Sequence, residues 1–427
     1  MPFRIALSGL NAASADLRVI GNNVANANTT GFKQSNIQFA DIYAASALGA
    51  SSNSIGSGVK ISDVKQEFAQ GNIDFTSSNL DLAISGEGFF RLNDNGVTKY
   101  SRAGSFGVDN GGFVVNSEGQ RLTGYQADSS GNITGALGDI VISTSDLPPN
   151  ATTSVSMTAN LDASQTAPAA AFNRTDATTY NHSTSLTTYD TQGNAILQTM
   201  YFDKTAVSGV WNMYTYLTNP AGTVVEAIPT TGSGAGGVGV SGDPVVLTFN
   251  TNGVLTSAVP NNGTATVADY QAVNPGTGAS NMSVDVTLTG LTQYGSGFGV
   301  TDLTQDGYTT GRLSGVDVGD SGVITARYTN GQSLSLAQVA MANFRNLNGL
   351  LQLGDTSWSE SFSSGSALVG APGTGTLGFI QSGALEGSNV DLTEQLVNMI
   401  TAQRNFQSNA QVIQTADTIT QTIINIR

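Results

Sequence analysis

The last forty residues constrain this chain most: from Ser388 to Arg427, SNVDLTEQLVNMITAQRNFQSNAQVIQTADTITQTIINIR holds neither Gly nor Pro, in a protein with 51 Gly and 10 Pro. A run without either breaker reads as one long helix. Ser388 or Asn389 is placed to cap it, Asp391 and Glu394 lie in its first turn and Arg427 in its last, an order that suits the helix dipole. Leu392, Leu396, Met399, Phe406, Ala410 and Ile413 recur at three- and four-residue spacings or their multiples. Val412, Ala416, Ile419, Ile423 and Ile426 carry the stripe to the end. The 37 residues from Asp391 predict a rod of roughly 55 Å.

The rest of that helix surface is polar without being charged. Of the 37 residues, 17 are Asn, Gln, Ser or Thr and five are charged. Asn and Thr are mediocre helix formers and charge pairs four apart are missing, so the segment needs other helices to cover it. Its face suits packing among copies or lining a wet passage; a terminal helix docked on its own domain is the other reading. The start of the chain supplies a partner. Phe3, Ala6, Leu10, Ala13, Leu17, Ile20 and Val24 follow a strict three-four alternation, the seam of a coiled coil, with Pro2 at the first helical position. The pattern dissolves into NNVANANTTGF (Asn22 to Phe32), whose Gly31 reads as a helix exit. The two termini are expected to pair.

Between them the chain reads as nested β structure. Residues 28–71 turn to Gly, Ser, Ala and Asn, and ALGASSNSIGSG (Ala47 to Gly58) reads as an extended linker. LDLAI (Leu80 to Ile84), FFRL (Phe89 to Leu92) and GFVVN (Gly112 to Asn116) are short strands punctuated by the hairpin turns NDNG and DNGG. A second unit opens near Asn150, where Val155, Met157, Ala159 and Leu161 alternate with polar residues, as Met282, Val284, Val286 and Leu288 do later. AILQTMYF, VWNMYTYL and VVLTFN lie between, so residues 150–290 are expected to form an inserted antiparallel β domain with its ends close together. Turn-rich β patterning then resumes, SLAQVAMANF (Ser335 to Phe344) is ambiguous between helix and strand, and a Gly/Pro/Ser-rich stretch leads to the last helix.

The expected class is mainly β with long helical termini. Residues 1–27 and 389–427 form a paired, coiled-coil-like helical domain; 28–71 and 371–388 are linkers; 72–149 and 291–370 make a discontinuous β domain around the insert.

Composition excludes several functions. Charged residues are 11%, against about 25% in an average soluble protein, and the net charge is −15 without any basic run, which argues against nucleic acid and anionic lipid. There is no Cys, hence no disulfide, thiolate metal site or thiol catalysis. No apolar run reaches the ~18 residues of a membrane span. Met1 to Arg4 followed by IALSGLNAASADL makes a poor signal peptide, so secretion would need another route.

Little in the chain suggests chemistry. His182 is the only His, too few for a His-based metal site, and no nucleophile elbow accompanies it; a surface or capping role is expected. GSGAGG (Gly232 to Gly237) matches G-x-G-x-x-G with no helix to receive a phosphate and reads as a loop. Phe89, Phe90, Tyr201 and Phe202 read as strand core rather than a ligand cage, and no catalytic residue, metal site or cofactor is expected.

The two ends together resemble a known family. NVANANTTGFK (Asn23 to Lys33, with Asn26, Thr30, Gly31 and Phe32) is similar to the N-terminal signature of the bacterial flagellar rod, hook and hook-associated proteins, and the final helix to their C-terminal helix. QGNIDFTSSNLDLAISGEGFF and YSRAGSFGVDNGGFVVNSEGQRLTGYQ resemble further shared blocks; TANLDA, LTQDGYTTGRLSGV and YTNGQSLSLAQVAMANFRNLNGL resemble the hook branch. The stretch from about Ala221 to Gly278 carries no resemblance.

The resemblance implies an extracellular structural protein, exported by the flagellar type III apparatus, that polymerises into a curved hollow tube acting as a universal joint. It implies paired terminal helices lining an export channel, with the β domains outside them. It also implies contacts with the distal rod protein, the hook cap protein and the hook-filament junction protein. The seam residues of both helices would then be assembly contacts. A distal rod protein of the same family and a secreted β-rich adhesin are the alternatives. The inserted unit of roughly 140 residues has no evident use in a straight rod, and an adhesin leaves both helices unexplained.

Overall fold

The computed structural model describes residues 2–42, 56–230, 241–261 and 263–425. The chain divides into two compact units, one of 1–144, 314–327 and 333–427, the other of 145–313 and 328–332.

The first unit holds both helices, α1 (Pro2–Ala25) and α2 (Leu392–Asn425). Asp391 caps α2, in place of Ser388 or Asn389: its Oδ1 accepts the N–H groups of Thr393 and Glu394 at 2.8 and 3.2 Å. Asn389 instead fastens the chain leading to the helix. Its Oδ1 accepts the Gln34 N–H and its Nδ2 donates to the Glu67 carbonyl, both at 2.7 Å.

Both stretches expected to be linkers contain strands. Ser35–Asp41 pairs antiparallel with Val59–Gln66, with a register shift between Gln38 and Phe39, and Ile37 is buried in this hairpin. Most of the Gly/Ser run 47–58 lies outside the described residues. Ile73–Phe75 pairs with Ala384–Glu386, and Leu82–Ser85 with Phe379–Ser382. The chain leaving the first helix and the chain entering the last are thus zipped together by short ladders. Leu82–Ser85 is the expected LDLAI strand; its partner and the 73–75/384–386 ladder were hidden, because a three- or four-residue strand in Gly-rich chain gains its stability from the partner it meets.

A larger sheet follows. Phe89–Asp94 and Val97–Ser101 form the expected hairpin, turning through Asn95 and Gly96, both at positive φ (50° and 96°), as a tight hairpin turn requires. Arg121–Ala127 pairs beside it and Ser333–Val339 beyond, so the ambiguous SLAQVAMANF is strand, completed by Met341–Asn343. Phe89, Tyr100, Phe344 and Trp358 form an edge-to-face aromatic core; Phe89–Trp358 centroids lie 5.6 Å apart and Tyr100–Phe344 4.8 Å.

The second unit packs two sheets around one core. Its meander is His182–Tyr189, Ala195–Lys204, Val210–Thr218, Val245–Phe249 and Leu255–Val259, all antiparallel. The other sheet is mixed rather than antiparallel throughout. Ser154–Asp162 pairs parallel with Asp285–Thr287 and Thr292–Tyr294, and antiparallel with Gly299–Gln305. The chain returning from the meander runs alongside the opening strand before turning back along its other edge. The insert therefore extends past 290 to about residue 313, because 292–294 and 299–305 belong to this sheet. Val155, Met157, Leu161, Phe202, Trp211 and Met213 fill the core from alternate positions, as period-two patterning demands.

Candidate assembly surface

α1 and α2 run antiparallel. Asn23 Nδ2 donates to Gln395 Oε1 at 3.2 Å, and Gly9 comes so close to Asn409 that a Cβ there would lie 2.5 Å from the Asn409 Oδ1. Residue 23 meets 395 and residue 9 meets 409, so each step back along α1 is a step forward along α2. On that register α1 reaches only to about residue 416, and the last two turns of α2 extend beyond it.

Burial along α2 follows the same register. Gln395, Met399, Ala402, Phe406, Asn409, Ile413 and Ala416, at alternating four- and three-residue steps, are its buried or half-buried line. Gln395 and Ala402 were not among the residues singled out from sequence, since a Gln and an Ala add little to an apolar stripe. On α1, Ala6, Ala13 and Ile20 are buried, Leu10, Leu17 and Val24 half-buried and Phe3 exposed; Ala15, also missed, is buried. On α2, Met399, Phe406, Ala410, Ile413 and Ala416 are half-buried, whereas Leu392, Leu396, Val412 and Ile419 are exposed. Ile426 and the Ile423 side chain lie outside the described residues. The α1–α2 contact relies on small residues and Gly9, which permit close approach but bury little apolar area, about 0.8 kcal/mol per methyl-sized group.

The NVANANTTGFK segment ties this helix pair to the β structure of its own unit. Asn23 is buried; its Nδ2 donates to the Ser35 carbonyl at 2.8 Å and its Oδ1 accepts the Ser35 N–H at 3.0 Å. Asn26 Nδ2 reaches back to the Asn22 carbonyl and its Oδ1 accepts the Thr29 hydroxyl. Thr30 is half-buried and Phe32 buried. Gly31 has φ +70°, its N–H donates to the Glu386 carbonyl at 2.8 Å, and a Cβ on it would lie 2.5 Å from the Ala103 nitrogen. No residue with a side chain fits there.

Lys33 enters a buried ionic cluster. Its Nζ lies 2.5 Å from Glu386 Oε1, with both side chains fully buried, and donates to the Ala69 carbonyl at 2.7 Å. Arg102 takes the other carboxylate oxygen at 3.0 Å, its second nitrogen donates to the Gly86 carbonyl, and the Gly71 N–H also reaches Glu386 Oε1. Burial pushes the Lys33 ammonium below its ordinary value, opposed by the Glu386 carboxylate. One carboxylate thus binds the end of the N-terminal motif, the first β blocks and the approach to α2. Its partners are 353 and 284 residues away in sequence, which is why no local pattern disclosed it.

His182 is neither a free surface group nor a cap: it is half-buried and its ring stacks on Phe298 at 4.4 Å, and burial holds its pKa below 6.5. Phe89, Phe90 and Phe202 are core; Tyr201 lies on the opposite sheet face, half-buried, edge-on to Tyr180. The GSGAGG loop lies outside the described residues. Among the described residues no cluster of His, Asp and Glu is placed to hold a metal, and no helix is long and apolar enough to cross a membrane.

Comparison with known proteins covers nearly the whole chain. Residues 3–33 match the family model "Flagella basal body rod protein", 83–160 "Flagellar hook protein FlgE/F/G D1 domain", 160–308 "Flagellar basal body protein FlaE D2 domain", and 381–426 "Flagellar basal body rod FlgEFG protein C-terminal". The flagellar hook protein FlgE of Escherichia coli K12 is 39% identical over 437 residues, with 100% of both chains covered. That of Salmonella typhimurium is 40% identical over 433 residues at the same coverage, and that of Treponema pallidum 32% over 459 residues, covering 99% of this chain and 98% of its own. In fold, the crystal structure of Helicobacter pylori flagellar hook protein FlgE2 superposes with a TM-score of 0.53 at 14% identity, over 73% of this chain and 100% of that one.

Proposed function

Because the chain belongs to the flagellar hook protein family and is a structural subunit of the hook, we propose that α1 and α2 pack as a coiled coil in the wall of a curved hollow tube and that their outward apolar residues are contacts between copies. The observation that carries this reading is the incompleteness of the helix pair. Leu392, Leu396, Val412 and Ile419 remain exposed after α1 and α2 have packed, so the pair leaves apolar surface that only further helices would cover. The uncharged Asn, Gln, Ser and Thr of α2 suit a channel that passes unfolded chains without holding them by charge. Five Thr hydroxyls, of Thr401, Thr415, Thr418, Thr420 and Thr422, donate to carbonyls four residues back, which leaves their methyls outward and their donors occupied.

On this reading the protein is extracellular, leaves the cell through the flagellar type III apparatus and acts as a universal joint that passes torque. It has no catalytic role, and it meets the distal rod protein at one end of the tube and the hook-filament junction protein at the other, with the hook cap protein present during growth. The test is assembly of Leu17→Asp and Ile419→Asp proteins. Each is expected to abolish polymerisation while leaving the β units folded by circular dichroism; normal tubes from both would remove the reading.

A further inference from the structure

Five of the large apolar residues left exposed on α2 fall on its two flanks; Val397 lies on the face away from α1, and Ile424 past the end of α1. At about 100° per residue, Leu392, Leu396 and Ile400 fall roughly 60–140° to one side of the line that faces α1. Val412 and Ile419 fall roughly 100–120° to the other side, with Ala416, the half-buried last member of the α1-facing line, beside them at about 60°. The five large members are each 45–56% exposed, and the two patches occupy opposite ends of the helix as well as opposite flanks. Between Glu394 and Asp417 the only charged residue of α2 is Arg404, so neither flank is set up for solvent by ion pairs.

Resting on the reading that these helices form the tube wall, we propose that the two flanks are the two halves of one contact: the 392–400 flank of each copy receives the 412–419 flank of a second copy. The spacing fits. Leu392, Leu396 and Ile400 step by four and four, Val412, Ala416 and Ile419 by four and three, so parallel helices shifted by about twenty residues, or about 30 Å, bring Leu392 to Val412, Leu396 to Ala416 and Ile400 to Ile419. Copies related by a screw operation in a tube are parallel, as this pairing requires. Two different patches on opposite flanks cannot both be satisfied in a two-fold dimer. They make a heterologous contact, which leaves one donor and one acceptor flank free on every oligomer and so propagates. One helix then carries three roles: the buried line binds α1, one flank binds a copy ahead and the other a copy behind.

The absence of Cys gives a clean test. Two single variants, Ile400→Cys and Ile419→Cys, are co-assembled and the polymer is oxidised. Disulfide-linked dimers between the two variants are expected, a ladder of longer species from the Ile400→Cys/Ile419→Cys double variant, and no cross-link from either single variant alone. Positions 400 and 419 lie about 28 Å apart along one helix, so a bond within a chain is excluded. Tubes that form without such cross-links, here and in the Leu392→Cys with Val412→Cys pair, overturn the proposal while leaving the tube-wall reading intact. If the Cys variants do not assemble, a charge exchange decides: Ile400→Lys and Ile419→Glu each block assembly, and the double variant restores it. Absence of rescue overturns the pairing, whereas normal assembly of both single charge variants removes the flanks from the wall altogether.

Discussion

Replacing Glu386 by Gln keeps the size and the acceptor oxygen of the side chain and removes its charge, leaving two cations in a buried site built for a carboxylate. In the native protein Glu386 contacts Lys33 at 2.5 Å and Arg102 at 3.0 Å, with the Lys33 and Glu386 side chains fully buried and Arg102 at 4%. Removing one partner of such a group costs about 3–5 kcal/mol, because the charges left behind remain desolvated. Lys33 can relax by releasing its proton, since burial already lowers its pKa; Arg102 cannot, so the loss is expected at about 4 kcal/mol. The matched control is Lys33→Met. It removes the Nζ donor from both Glu386 Oε1 and the Ala69 carbonyl, but leaves the carboxylate paired with Arg102 and the Gly71 N–H, so no buried charge is stranded and the loss is about 1 kcal/mol. Urea unfolding of the monomer, followed by near-ultraviolet circular dichroism and, in a Trp211→Phe background, by fluorescence of Trp358, measures both. A loss below about 1.5 kcal/mol for Glu386→Gln, or an equal loss for Lys33→Met, would refute the assignment of Glu386 as the counter-ion of the cluster.

Gly31→Ala forces a side chain into positive φ and against the Ala103 backbone, and is expected to cost about 2–4 kcal/mol by the same unfolding assay. Asp391→Ala removes the cap of α2 and costs about 1 kcal/mol, whereas Ser388→Ala leaves the capping bonds untouched. The depressed pKa of Lys33 is a penalty while the group is charged. Native stability therefore gains, relative to Lys33→Met, as pH rises from the folded pKa toward 10.5, and denaturant midpoints across that alkaline range measure the difference. His182 has the same sign of shift: stability falls as pH drops below 6.5, a fall absent from His182→Phe, and NMR titration of its ring places its pKa below 6.5.

The sequence disclosed what depends on neighbours along the chain. Freedom from Gly and Pro delimited α2 to within a few residues, the Asn-Gly dipeptide set the hairpin at Asn95, and alternation exposed the core of the second unit. It did not disclose what depends on distant partners. The strand at LDLAI was legible, but the partners of 82–85 and 73–75, residues 379–382 and 384–386, lie some 300 residues on in Gly-rich chain that reads as linker. The cap of α2 moved to Asp391 because Asn389 is engaged by Gln34 and Glu67. The mixed sheet of the insert needs the parallel return of 285–287 beside 154–156, a long-range choice that alternation cannot specify. The Lys33–Glu386–Arg102 cluster was invisible for the same reason, and on α2 the apolar spacing alone did not separate the residues that bind α1 from those left free.

A helical reconstruction of the assembled tube tests the central claim most directly. It should place α1 and α2 in the innermost wall, antiparallel with Asn23 beside Gln395, and with Leu392, Leu396, Val412 and Ile419 covered by helices of other copies. Helices that face solvent on both flanks in the tube, or α1 parted from α2, would contradict it.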